Sequence, residues 1–103
     1  INENVIYPII KGGITNFTRQ LASFYGKYNI RVNTICLGGL KGHIKNSKRK
    51  QSKIFLKKYT ENTPLGRLAS QEDAYYATHF LASDASEYIT GTTLIVDGGY
   101  SII

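Results

Sequence analysis

The sequence predicts an α/β chain built on a parallel sheet, and three observations predict it. An apolar stripe of helical period opens the chain, two short runs rich in β-branched residues follow it, and a second helical segment separates those runs. Strands that alternate with helices pair in parallel, because a crossover of helix length is what returns a chain to the same edge of a sheet. The expected order is helix, strand, lid, helix, strand.

The first helix is expected over residues 9–28. Ile10, Ile14, Phe17, Leu21, Phe24 and Tyr28 follow one another at spacings of 4, 3, 4, 3 and 4, which aligns them on one face. Such a stripe reads as core together with a subunit interface. Pro8 suits the first turn, where its missing N–H would have no partner anyway. Gly26 and Asn29 mark the stop. The run Ile30 to Leu37 reads as a strand, centred on residues 31–36 and broken by Gly38-Gly39. Asn62 to Gly66 is turn chemistry. Ser70 with Asp73 three residues on is a variant capping box, and Ala74, Ala77, Thr78 and Leu81 fall at helical spacing behind it. Ala85 to Gly91 is a loop, and residues 93–97 form a second strand that Gly98-Gly99 closes. Two parallel strands are only the edge of a sheet, so the first strand would leave one flank unpaired. Together with Ile1 in place of a starting methionine, this makes the chain read as an incomplete portion of a layered domain.

At 103 residues the chain has room for one small domain, and its 42% apolar and 19% charged residues are ordinary for a globular one. No apolar run approaches bilayer length and no secretory leader pattern opens it, so no membrane partner is expected. A lone cysteine, Cys36, makes no internal disulfide, which fits a reducing cytoplasm; within an apolar run it reads as a buried structural thiol. The net charge of +6 is uneven. Eight of the 13 basic residues lie between Lys41 and Lys58 with no acid among them, and the rest of the chain is mildly acidic. That distribution argues against a nucleic-acid-binding fold. The basic stretch has three readings: a solvated lid over residues 41–60, a recognition element for an anionic substrate such as a phosphorylated sugar, or a nucleic-acid patch. The last is weakened by poor aromatic interleaving, since only Phe55 and Tyr59 accompany the lysines. A small basic binding module is the rival function class.

His43, in the lid, reads as an exposed loop histidine and His79, mid-helix, as structural. The two histidines and one cysteine have no metal-ligand spacing, so no metal is expected. Asp97 before two glycines reads as a turn-forming carboxylate.

Tyr7-Pro8-Ile9-Ile10-Lys11 places a tyrosine and a lysine one helical turn apart, which alone is a common surface pair. Four further segments follow in order: Asn33-Thr34-Ile35-Cys36-Leu37-Gly38, Thr63-Pro64-Leu65-Gly66-Arg67, Phe80 to Ser86 followed by Ile89-Thr90-Gly91, and Leu94-Ile95-Val96-Asp97-Gly98-Gly99. Together with the Y-x-x-x-K segment, they resemble the short-chain dehydrogenase/reductase family over essentially the whole chain, the basic lid excepted. The resemblance implies the C-terminal portion of a doubly wound parallel-sheet Rossmann fold.

It also implies hydride transfer between NAD or NADP and a small-molecule carbonyl or alcohol. A reduced carbonyl must gain a proton, and a tyrosine hydroxyl can supply it. A neighbouring ammonium stabilises the phenolate form. The resemblance assigns Tyr7 as acid/base and Lys11 as its partner, with both at the cofactor and Lys11 on the nicotinamide ribose. The backbone of Leu37, Gly38, Gly39 and Leu40 corresponds to the loop that lies against the nicotinamide ring, where glycine permits close approach. Leu37 replaces the family's usual proline, and Gly42 replaces a threonine that often touches the carboxamide. The catalytic serine, the helix asparagine and the Gly-rich pyrophosphate loop are expected upstream of Ile1, so this chain alone is expected to be inactive. Related enzymes pair the first helix with its copy, which implies a homodimer or homotetramer.

Overall fold

A computed structural model describes residues 6–42 and 52–103. Helix α1 covers Ile6–Tyr25, strand β1 Thr34–Leu37, helix α2 Lys53–Glu61, helix α3 Gln71–Ala82 and strand β2 Thr93–Val96. The two strands are hydrogen-bonded neighbours. Thr34 N–H donates to Thr92 O at 2.9 Å and Gly38 N–H to Val96 O at 3.0 Å. Donor and acceptor advance in the same direction by the same number of residues, which makes the pairing parallel. The α/β class and the parallel pairing thus agree with expectation. The chain divides into two compact units, residues 1–35 with 80–94 and residues 36–79 with 95–103. Each strand begins in the first unit and ends in the second.

In the first unit, α1 ends earlier than its apolar stripe suggests. Gly26–Tyr28 form a 3-10 turn, and Asn29 takes the left-handed conformation with φ of 59°. Asparagine tolerates that conformation, and its N–H closes the turn on Gly26 O. The buried residues of α1 are Thr18 and Ala22, whereas Ile10, Phe17, Phe24 and Tyr28 are each more than half exposed. The stripe therefore does not form core within this chain. The line through Thr18 and Ala22 runs roughly a quarter to a third of the way round the helix from the stripe. Small side chains there permit close approach: the Thr18 and Thr34 hydroxyls hydrogen-bond at 2.5 Å, and Ala22 lies against Gly91, whose φ of 73° suits glycine.

The residues just before β1 are held by side chains as well as backbone. Arg31 donates to Ser83 O and Ile89 O, both at 3.2 Å. Asn33 donates to Ile89 O at 3.0 Å and accepts from Thr92 N–H at 3.1 Å. Val32 N–H donates to the Thr90 hydroxyl. This is why the regular ladder starts at Thr34 and not at residue 31: side chains stand in for strand partners ahead of it. Buried Ser86 turns its hydroxyl to Leu81 O at 3.0 Å, closing the loop after α3 around buried Leu81.

In the second unit, helix α2 lies inside the stretch expected to be lid. Ser52 caps it by accepting from Phe55 N–H at 3.1 Å. Residues 43–51, which include His43 and the densest part of the lysine run, lie outside the described residues. Helix α3 starts as expected. Ser70 N–H donates to the Asp73 carboxylate at 2.8 Å, and Asp73 N–H donates to the Ser70 hydroxyl at 3.2 Å. Asp serves in the capping box because the reciprocal geometry needs only a carboxylate that reaches back. His79 is exposed, with its ring 5.8 Å from that of Tyr75, so it fills no core position. Cys36 is also exposed rather than buried. Among the described residues the second half of β1 pairs with β2, and Cys36 and Leu37 are exposed.

Candidate functional site

Tyr7 and Lys11 lie in the first two turns of α1, and the helix brings them together. The Lys11 ammonium stands 5.4 Å from the centroid of the Tyr7 ring. That is within the range in which a cation is attracted to an aromatic face. Both side chains are exposed, with Tyr7 at 62%. A phenol able to exchange a proton and an ammonium able to bind hydroxyls or stabilise phenolate thus share one surface of one helix.

The second expected element, Leu37 to Leu40, lies in the other unit and runs from the end of β1 through Gly38 and Gly39 to a bridge at Leu40. Gly38 N–H is taken by Val96 O, and Gly39 O accepts from Ala69 N–H at 2.8 Å. Leu40 and Ala69 form an isolated parallel bridge, extended by Lys41 N–H donating to Ala69 O at 2.8 Å. Gly39 N–H donates to the Tyr59 hydroxyl at 2.5 Å. The need for glycine is visible within the chain. A Cβ at Gly38 would stand 2.8 Å from Asp97 Cα, and one at Gly39 would stand 2.6 Å from both Leu68 Cδ2 and Tyr59 Cε1. Close internal packing demands glycine at both positions. At Gly42, the departure from the family's threonine, φ is 154°.

Around this turn stand residues to which sequence reasoning gave no site role. Tyr59, on α2, stacks on Tyr100 with ring centroids 4.5 Å apart and planes 5° from parallel. Asp97 accepts from Gly99 N–H and Ser101 N–H, both at 2.9 Å, and so shapes the turn that carries Tyr100. Hydrogen bonds from Ser101 and Gly99 also hold its carboxyl below the ordinary carboxylate range. Asp97 is the turn-forming carboxylate expected. Leu65 N–H donates to Gly98 O at 3.1 Å, and Gly99 packs on the Pro64 ring. Arg67 grips Asp73 with two bonds of 2.6 and 3.1 Å. The only sequence signal for Tyr59 was its place as one of two aromatics in a basic segment.

Comparison with known proteins covers the same span. A family model described as enoyl-(acyl carrier protein) reductase matches residues 1–101. An uncharacterized oxidoreductase of Thermotoga maritima is 33% identical over 100% of this chain and 42% of its own length. A 3-oxoacyl-(acyl-carrier-protein) reductase of Chlamydia trachomatis is 40% identical over 90% of this chain and 36% of its own. A crystal structure of a short-chain dehydrogenase from Leptospira borgpetersenii with bound NAD+ superposes with a TM-score of 0.84 at 39% identity, covering 94% of this chain and 35% of that one. The chain therefore spans well under half the length of these relatives. With its α/β fold, parallel strands and matched family model, the chain belongs to the short-chain dehydrogenase/reductase family.

Proposed function

We propose that this chain forms part of an NAD- or NADP-dependent oxidoreductase that interconverts a small-molecule carbonyl and its alcohol. The observation that carries the reading is the pairing of Tyr7 and Lys11 on one helical turn, with the ammonium 5.4 Å from the ring. When bound, the nicotinamide would supply or accept the hydride. Tyr7 gives its hydroxyl proton to the oxygen that becomes alkoxide during reduction, and takes that proton from the alcohol during oxidation. Lys11 holds its ammonium beside the Tyr7 ring and binds the ribose hydroxyls. The donor set fits the group: an ammonium has three donors and no acceptor, suited to hydroxyl oxygens. Leu37, Gly38, Gly39 and Leu40 offer backbone to the nicotinamide, while the sides of the two glycines where a Cβ would stand are packed against Asp97, Leu68 and Tyr59.

An anionic or sugar-derived substrate is favoured by the exposed cations Lys41, Lys53, Lys57 and Lys58 within the basic lid. A homodimer or homotetramer is favoured by the solvent-facing apolar stripe of α1, whose Ile10, Phe17, Phe24 and Tyr28 are exposed. A cytoplasmic setting fits the lone free cysteine. Among the described residues no helix is long and apolar enough to cross a membrane. The rival reading, a small basic binding module, has no specific contact in its favour. The test is the absorbance of reduced nicotinamide when the full-length protein meets a panel of phosphorylated and neutral carbonyl compounds. Oxidation of NADH or NADPH that depends on both carbonyl and protein supports the reading; failure to bind either cofactor overturns it.

A further inference from the structure

We propose that Tyr59 is a positioning residue that ties helix α2 to the Gly38–Gly39 turn, so that the helix and the turn order as one element. Its functional meaning rests on the reading of that turn as backbone facing the nicotinamide; the link itself rests on geometry within the second unit.

Four contacts converge on this one side chain. The Tyr59 hydroxyl accepts the Gly39 N–H at 2.5 Å, beside the backbone partners that Val96 and Ala69 supply. The ring occupies the space a Cβ at Gly39 would need, 2.6 Å from Cε1 and 2.7 Å from Cζ. The ring also stacks on Tyr100 at 4.5 Å, on a turn that Asp97 holds by two backbone N–H groups. Phe55, one helical turn before Tyr59, adds its ring at 5.8 Å. Tyr59 itself is half-buried, and Thr63 donates its hydroxyl to Tyr59 O at 2.7 Å, fixing the helix end. The phenol is thus held from the Tyr100 side and offers its oxygen to the turn.

The consequence is coupling. A ligand that orders the turn removes mobility from Gly39, and the bond passes that order to α2. In the other direction, any shift of α2 pulls on the backbone of the turn. Such linkage needs an element with two arrangements and a contact that both ends share. The Gly39–Tyr59 bond is that contact.

Tyr59→Phe keeps the ring and its stack and removes only the acceptor. Amide exchange, resolved residue by residue, is measured in the full-length wild type and variant, with and without NADH or NADPH. Without cofactor, the Gly39 amide is expected to exchange about 5-fold faster in Tyr59→Phe, the scale set by losing one hydrogen bond. With cofactor, exchange in residues 53–61 slows in the wild type and slows much less in the variant. Cofactor binding measured by fluorescence titration weakens by about 3- to 10-fold, again the scale of one bond. A purely structural role for the ring would leave the cofactor-dependent slowing of α2 intact in Tyr59→Phe, and that result overturns the proposal. Equal Gly39 exchange in the two cofactor-free proteins overturns it as well. If the wild type binds neither cofactor, the oxidoreductase reading fails, while the cofactor-free comparison still decides the link.

Discussion

Tyr59 and Tyr100 lie face to face, 4.5 Å between ring centroids and 5° from parallel, although 41 positions separate them in sequence. One ring comes from a lysine-rich helix and the other from the residues after β2. The pair joins two segments that share no strand ladder with each other, and it stands beside the Gly38–Gly39 turn. Aromatic pairs add about 0.5–1.5 kcal/mol beyond the area they bury. Tyr100→Leu keeps an apolar side chain and removes the stack. It is expected to cost about 1 kcal/mol in denaturant unfolding of the full-length protein, with an unchanged slope against denaturant. Stability equal to wild type would show the stack to be incidental.

The elements legible from sequence were those whose signal is local. Helix α3 was placed by its capping box, and β2 by a β-branched run between turn residues; both depend on neighbours a few positions away. The stop of α1 is legible only in part: Gly26 and Asn29 mark it, but the apolar stripe carries the expected helix to Tyr28, where a 3-10 turn replaces it. Helix α2 was not legible. Its lysines match a solvated segment, its apolar Ile54 and Phe55 remain exposed, and its cap is a single serine. The stripe of α1 showed which face is apolar and not what covers it, since burial of Thr18 and Ala22 depends on Thr34 and Gly91, far away in sequence. For the site, the Tyr7–Lys11 pair follows from helical spacing, whereas Tyr59 reaches Gly39 only through the folded second unit.

The Arg67–Asp73 pair sets a pH dependence. The bond from Arg67, then that from Ser70 N–H, holds the Asp73 carboxyl well below the usual carboxylate range. A carboxyl depressed on folding contributes stability above its unfolded value of about 3.9 and loses it as pH falls through the folded value. Wild type and Asp73→Asn should therefore show melting curves separated by a constant gap above about pH 5. Below about pH 4 the gap should narrow as the wild type loses its contribution. The pair is exposed, so the gap is modest. A gap that widens on acidification would contradict the sign.

Asn33 spans two loops with one amide, donating to Ile89 O and accepting from Thr92 N–H. Replacement by Ala leaves the Thr92 N–H without that acceptor and Ile89 O with only the Arg31 donor. Losing a half-buried pair of this kind costs about 1–3 kcal/mol. Asn33→Asp keeps the acceptor alone and should fall between Ala and wild type. Thermal unfolding of the three proteins checks the order, and an Ala variant as stable as wild type would remove the bridging role.

The apolar stripe of α1 gives a prediction for residues 1–103 produced alone. Ile10, Phe17, Phe24 and Tyr28 each expose more than half their surface, and large contiguous apolar patches drive association. Sedimentation at rising concentration should show self-association, weakened by Phe17→Glu. A monomer with a sharp cooperative melt would contradict it.

The last prediction concerns Tyr7 and Lys11 in the full-length protein. Tyr7→Phe keeps the ring beneath the Lys11 ammonium and removes only the hydroxyl proton. Turnover is expected to fall by at least ~100-fold, the scale of losing a general acid/base, while cofactor affinity changes little. Lys11→Ala removes the ammonium beside the Tyr7 ring and also the donor assigned to the ribose hydroxyls. Turnover should therefore fall, and the cofactor should bind more weakly. The two variants carry different signatures, chemistry alone for the tyrosine and chemistry plus binding for the lysine. Steady-state kinetics across pH, with cofactor affinity titrated separately, distinguishes them. Near-wild-type turnover in Tyr7→Phe would show that Tyr7 is not the proton donor. Affinity lost in the tyrosine variant and spared in the lysine variant would reverse the two roles, since only the residue that touches the cofactor can weaken its binding directly.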